Sequence, residues 1–226
     1  MISRLGYRVI CKKYIFQIRV KKLLHFFGNS LSLRINNKKG ITMINTTNDF
    51  LKNNKITFRP LAKNDLQLMV GWLKKVHVHE WFASHKEITE AFVDYVFING
   101  DEFVQRWIFQ INGKDIGYIQ NYFYEDDKDI SERYIDEIEA KSGSATLDFF
   151  IGDEEYIHKG YGKFIVKQFI KEKIFSDARC KNIIVGPRTK NLASIKTLEA
   201  NGFKWFKNVI DDKGRDEYMM VLEIEN

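Results

Sequence analysis

Between residues 145 and 175 the chain passes from an apolar run, Ala145 to Ile151 (ATLDFFI), through a glycine-bearing turn, His158 to Gly162, into a stretch with helical spacing that ends near Phe175. This succession constrains the fold more than any bulk property, because a strand feeding a helix needs a sheet to join and a layer for the helix to cover. The turn itself is Lys159-Gly160-Tyr161-Gly162-Lys163. Two glycines let the backbone approach a ligand, and the first helical turn offers unpaired N–H groups and the positive end of its dipole. With Lys159 and Lys163 adding charge, a pyrophosphate is the guest such a turn suits. The spacing matches neither GxxxxGK[ST] nor GxGxxG. Taken by itself, GxG before a helix is equally well a structural turn.

The flanking elements complete a pattern. Lys55 to Leu61 (KITFRPL) alternates as a strand does. Asn64 or Asp65 is placed to cap a helix carrying Leu66, Met69, Val70 and Leu73 on one stripe. A second helix is predicted from about Ile88 to Ile98. Arg106–Ile111 and Ile116–Tyr124 read as strands joined by Asn112-Gly113, a two-residue hairpin signal. Asn182–Val185 is a short strand stopped at Gly186-Pro187, and a helix from about Leu192 to Ala200 ends at Asn201-Gly202. Lys204–Ile210 and Glu217–Glu223 are the last strands. The order β-α-α-β-β-β-α-β-α-β-β predicts an α+β fold, a mixed sheet flanked by helices.

Charge separates the chain into two parts. Residues 1–42 hold ten Lys or Arg and no acid, so the overall net charge of +6 becomes −4 for residues 43–226. The mildly acidic remainder removes the case for a nucleic-acid surface. The basic segment interleaves Ile15, Phe16, Leu23, Leu24, Phe26 and Phe27. It reads as a membrane-surface or targeting helix, as an extension without a role, or as sequence upstream of a true start at Met43. The fold is expected in residues 43–226 as a single domain. Two cysteines, Cys11 and Cys180, make neither a disulfide framework nor a zinc motif. No apolar run approaches the roughly 18 residues of a spanning helix, so a soluble, cytoplasmic protein in a reducing compartment is expected.

GYGKFIVKQFI following TLDFFIG resembles the acetyl-coenzyme A motif of the GNAT superfamily of N-acetyltransferases. Asn191 to Phe203 (NLASIKTLEANGF) is similar to the second signature of that superfamily, an Asn followed by a helix ending in E-x-x-G-F. The resemblance covers about residues 55–224 and implies a mostly antiparallel central sheet flanked by helices. It also implies acetyl-coenzyme A as co-substrate in a cleft where two strands splay, one ending near Ile151 and the other near Val185. The backbone of Phe149, Phe150 and Ile151 would pair with the pantetheine. Lys159, Gly160, Tyr161, Gly162 and Lys163 would hold the pyrophosphate, with Asn191 and Ser194 nearby. Within the superfamily the chain looks most like the aminoglycoside 6'-N-acetyltransferases, with siderophore N-acyltransferases next. His77, Glu80 and Trp81 match a similar H-x-x-E-W, and Tyr118 and Gln120 match a G-Y-x-Q pattern. That places Glu80, Trp81, Tyr118 and Gln120 at the acceptor.

Three features bear on the acceptor chemistry. Asp148 interrupts an apolar strand, where a carboxylate must be paired or functional; the resemblance puts it on the general base. A base is needed because a protonated amine cannot attack a thioester. Glu125, Asp126, Asp127, Asp129, Glu132, Asp136, Glu137 and Glu139 crowd one segment, so Glu125 and Asp126 are expected to attract a polycationic amine. His77 and His79 would share a face on a strand, but no third ligand stands near and no metal is expected. Leu198 stands where the superfamily often has a tyrosine acid, and Gly186 where aminoglycoside enzymes tend to have an acceptor-binding Asp. Beside direct acetyl transfer to a small-molecule amine, two other readings stand: acylation of a hydroxylated lysine in siderophore assembly, and a non-catalytic acyl-coenzyme A module.

Overall fold

The computed structural model describes residues 31–36, 40–45, 53–83 and 86–224. The chain divides into two units, Met1–Lys55 and Ile56–Asn226. In the first, β1 (Leu31–Asn36) and β2 (Gly40–Asn45) form an antiparallel hairpin that runs across the expected boundary at Met43. The rest of the basic segment, with the membrane-surface or targeting reading, lies outside the described residues.

The second unit is built on seven strands. They are β3 (Ile56–Pro60), β4 (Gln105–Ile111), β5 (Lys114–Phe123), β6 (Ser144–Ile151), β7 (Asn182–Val185), β8 (Lys204–Ile210) and β9 (Asp216–Glu223), in the sheet order β3-β4-β5-β6-β7-β9-β8. Every neighbouring pair is antiparallel except β6 and β7. The helices are α1 (Leu66–Leu73), α2 (Val76–Phe82), α3 (Glu90–Val93, continuing as a wide turn to Ile98), α4 (Glu132–Glu137), α5 (Tyr161–Phe169, widening over Ile170–Ile174) and α6 (Leu192–Glu199).

Apolar spacing decides where the helices pack. Met69, Val70 and Leu73 of α1, Val78 of α2, and Val93 and Phe97 bury themselves against Ile108, Tyr118 and Phe150 of the sheet. On the other face Phe169 of α5 meets Phe58 edge-on, with centroids 5.2 Å apart. Asp65 differs from expectation. Its carboxylate turns back to accept two bonds from Arg59, each 2.8 Å, instead of capping α1, and Arg59 also reaches Asp115. The expected β4–β5 turn is present, with Asn112 at φ 52° and Gly113 at φ 83°.

The parallel pair matters most for the site. Its register joins only Ser144 to Asn182 and Ala145 to Ile183. Beyond Ala145, β6 runs on for six residues along an edge that β7 no longer covers. A parallel pair needs a long crossover, here α5, and the gap opens where that crossover begins.

Candidate active site

Two cavities meet at the opened edge of β6. The larger, about 640 Å³, lies between Phe149 to Ile151, the glycine turn before α5, the first turns of α6, and one face of α2. The smaller, about 360 Å³, lies over Asp148, Leu147 and Gln120, with β7 to Arg188 on one side and Arg215 and Glu217 on another. Trp81, Phe82, Phe149, Asn191 and Ser194 line both. Because successive strand residues face opposite sides, Asp148 opens to the smaller cavity while its neighbour Phe149 stands where the two join.

At the glycine turn, Gly160 takes φ 78° and ψ 9° immediately before α5. A side chain there would be strained by the backbone, yet nothing lies within 4 Å of where its Cβ would stand. The turn therefore keeps both an unusual backbone and open space in front of a helix N-terminus, which is what an anionic group needs. Gly162 and Lys163 also line this cavity. Lys159 does not; the structure leaves it off the wall. Asn191 accepts the Ser194 N–H at 3.1 Å, so its Oδ1 is used in capping α6.

The α2 helix brings in the aromatic expected at the acceptor, Trp81, which lines both cavities. His77, Glu80 and Trp81 stand at i, i+3 and i+4, and all three line the larger cavity. Val78, between them, faces the core at 1% exposure. The pairing of His77 with His79 on a strand face is corrected: both stand on α2, and they diverge. His77 Nε2 bonds the Ile151 carbonyl at 2.9 Å, and His79 Nε2 bonds the Lys86 carbonyl at 3.1 Å. A carbonyl only accepts, so each imidazole carries its proton on Nε2. Ile151 thus has its carbonyl occupied, and because the β5–β6 register turns the N–H and C=O of Phe150 toward β5, the open backbone of β6 narrows to Phe149, a correction to the expected set of three.

Asp148 is held from across the sheet. It stands directly opposite Gln120 in the β5–β6 register, and Gln120 Nε2 donates to its Oδ2 at 3.0 Å. Tyr118 in turn donates to Gln120 Oε1 at 2.6 Å. The Asp148 side chain is open to the cavity, yet it stands at the bottom of a cleft with protein mass on all sides. That burial pushes its carboxyl above the ordinary value, while the Gln120 bond and the Arg215 charge pull it down. Tyr118 itself is fully buried at 0% exposure and lines neither cavity. The expectation that it meets the acceptor is corrected: its ring stacks on Phe150, centroids 5.5 Å apart, and only its hydroxyl reaches the site, through Gln120.

Glu125 and Asp126 are also placed elsewhere. They pair with Arg179 at 3.9 and 3.2 Å. Glu125 lines a separate hollow with Asp127, Glu132 and Asp136. The acidic segment folds partly into α4 and sends one group to the site, the Tyr134 hydroxyl, which donates to Glu217 at 2.6 Å.

Glu217 is the residue that motif reading misses. It is 8% exposed, lines the smaller cavity with Asp148, and burial pushes its carboxyl up to about 7. The signal for it is thin: Glu217, Met219 and Val221 alternate on β9, and an acid on the inward phase of a strand is a buried acid. Arg215, also on the wall, is bound to the buried Asp211.

Residues 62–210 match the family model described as an acetyltransferase (GNAT) domain. Aminoglycoside N(6')-acetyltransferases type 1 of Klebsiella pneumoniae and Serratia marcescens are 26% identical over 197 residues, covering 81% of this chain and 90% of each relative. Among solved structures, AAC(6')-Ib in complex with paromomycin and acetyl-coenzyme A superposes with a TM-score of 0.67 at 25% identity, covering 75% of this chain and 93% of the other. AAC(6')-Ib with coenzyme A and kanamycin gives a TM-score of 0.64 at 25% identity, covering 75% and 95%.

Proposed function

The chain belongs to the GNAT acetyltransferase family, whose members move an acetyl group from acetyl-coenzyme A to an amine, and on that premise we propose that it acetylates a primary amine of an aminoglycoside or a similar polyamine by direct attack. The observation that carries this reading is the meeting of the two cavities at Phe149, with the glycine turn at one end and Asp148 at the other. Similarity to aminoglycoside 6'-N-acetyltransferases supports the acceptor class.

The larger cavity fits the coenzyme. Gly160, Gly162 and the first N–H groups of α5 suit the pyrophosphate, Lys163 adds charge, and the uncovered backbone N–H and C=O of Phe149 suit an extended chain of amides. Acetyl-coenzyme A supplies the thioester-activated acetyl group. Trp81, Gln120 and Asp148 act on the acceptor. Asp148 takes the proton of the incoming ammonium, so that the nitrogen lone pair forms the C–N bond as the C–S bond breaks. A carboxyl lifted above its ordinary value is a better base for this than one at the ordinary value, and Gln120 and Arg215 oppose the lift by favouring the charged form. Leu198, 2% exposed, brings no hydroxyl; the second proton that nitrogen sheds on forming the amide passes to solvent, and solvent returns one to the departing sulfur. No described helix is long and apolar enough to cross a membrane, and the cytoplasm, where acetyl-coenzyme A is made, is the compartment this reading implies.

The test is a panel of amines with acetyl-coenzyme A and a thiol reagent. Coenzyme A release is expected with kanamycin-like acceptors. Release with hydroxylated lysine alone would move the enzyme to siderophore chemistry, and release with none would leave a binding module.

A further inference from the structure

Glu217 enters the acceptor cavity on β9, from the strand adjoining β7 and remote in sequence from Asp148. Its room is made by Gly186: a Cβ at that position would stand 2.8 Å from Glu217 Oε2. Oε2 accepts the Tyr134 hydroxyl at 2.6 Å, and no second hydrogen bond to the carboxylate is made among the described residues. A carboxylate that is 8% exposed with a single hydrogen bond has lost water and gained little in return. Among the described residues no ion pair is made to it. Arg215 favours its charged form but is itself bound to Asp211; Asp148 and Asp211 add negative potential; Tyr122, Tyr124 and Tyr134 are neutral phenols. Arg188 and Lys213 complete the charged wall. Fold stability gives no reason to keep a charge there, whereas a cationic ligand does.

We infer that Glu217 is an acceptor-binding residue that takes a second ammonium group of the substrate, so that the cavity selects compounds bearing at least two amines, one presented to Asp148 and the other to Glu217. The inference rests on the amine acetyltransferase reading above and adds to it the number of amines and the group that holds the second. An ammonium replaces the missing hydrogen-bond partner and draws the carboxyl into its ionised form. With the carboxyl's midpoint lifted to about 7, ligand and charge arrive together.

The experiment is steady-state kinetics at saturating acetyl-coenzyme A on the parent and Glu217→Gln, with kanamycin (several amines) and 6-amino-6-deoxyglucose (one amine). Gln can still accept from Tyr134 but carries no charge. The expected result is a KM for kanamycin raised about ten- to a hundredfold, at least tenfold more than for the monoamine, with the effect in KM rather than kcat. In the parent, KM for kanamycin is expected to climb as pH falls through about 7, and Glu217→Gln is expected to lack that climb. Equal losses on both acceptors, a loss confined to kcat, or no loss would each overturn the inference while leaving the proposed function standing. A parent that acetylates neither amine overturns the proposed function and this inference together. Should the variant not fold, the parent's pH profile decides alone: a KM for kanamycin that is flat from pH 6 to 8 refutes the role.

Discussion

The two cavities are made of different material. The coenzyme side consists largely of backbone: an uncovered strand edge, a left-handed glycine and the start of a helix, all within residues 149–163. The acceptor side consists of side chains from α2, the turn after α3, β5, β6, β9, α6 and the segment after β7, and its charged groups span residues 148–217. Backbone sites are local in sequence and indifferent to most side chains, so they persist as motifs. Side-chain sites are assembled by topology, and each position is free to change with the ligand. The same contrast runs through electrostatics. On the coenzyme side, charge recognition falls to N–H groups and a helix dipole that do not titrate. On the acceptor side it falls to two carboxylates that burial lifts toward the pH of use.

Asp148→Asn tests that contrast most severely. It keeps size and polarity and still accepts from Gln120, but cannot take a proton. Turnover is expected to fall on the order of 10²–10⁴-fold, while acetyl-coenzyme A affinity by calorimetry stays within experimental error. Part of the rate should return at high pH, as the acceptor amine deprotonates in solution. A variant that turns over like the parent at neutral pH would move the base elsewhere, and Glu217, on the same wall, is the next carboxylate to try; Glu125 is occupied with Arg179 in another hollow.

Gly160→Asp probes the backbone side. The new carboxylate would point into the space left open before α5, against a pyrophosphate, and an affinity loss of about 10²-fold is expected from charge repulsion at short range in a partly dry cleft. The fold should suffer far less. A negative charge at a helix N-terminus is favourable, and Asp is among the residues that tolerate the left-handed region. Calorimetry therefore sees a large effect where thermal melting sees a small one. Unchanged affinity in the folded variant would remove the pyrophosphate from this turn.

Legibility in the sequence followed the same divide. Alternation, hairpin chemistry and glycine stops placed all seven strands of the second unit, α1, α3, α5 and α6, because each depends on neighbours a few positions away. The α2 helix was missed: VHVHEWF alternates on paper like a strand, and only the i, i+3, i+4 spacing of His77, Glu80 and Trp81 marks a helical face. The α4 helix is hidden among acids whose partners, Arg179 and Lys207, lie tens of residues away, as does Asp212, which accepts from Ser131 and Arg133. The pattern assigns Tyr118 to the acceptor, and it does share a face of β5 with Gln120, but the α1–α3 layer covers it, which no local window contains. Glu217 carries no motif at all. Its role follows from β9 inserting beside β7, a topological fact no local window contains.

The smallest expected effect concerns stability, and it separates a carboxylate kept for function from one kept for the fold. Glu217 has its midpoint lifted to about 7 from an ordinary 4.5. Between those values the folded protein holds a proton that the unfolded chain has released, so folding stability declines as pH rises through this window and levels off above it. Glu217→Gln abolishes the titration while retaining an acceptor for Tyr134. The variant should therefore match the parent below pH 4.5 and gain on it as pH approaches 7, by on the order of 1–3 kcal/mol at pH 8. Denaturant melts of both proteins at pH 5 and pH 8 measure the difference directly. A gain that widens with pH, alongside weaker binding of kanamycin, identifies a charge that folding tolerates and the acceptor uses. A variant less stable than the parent at pH 8 would mean that the ionised carboxylate is well paired in the folded state, and the acceptor cavity would then resemble the coenzyme side, with its charges already satisfied before any ligand arrives.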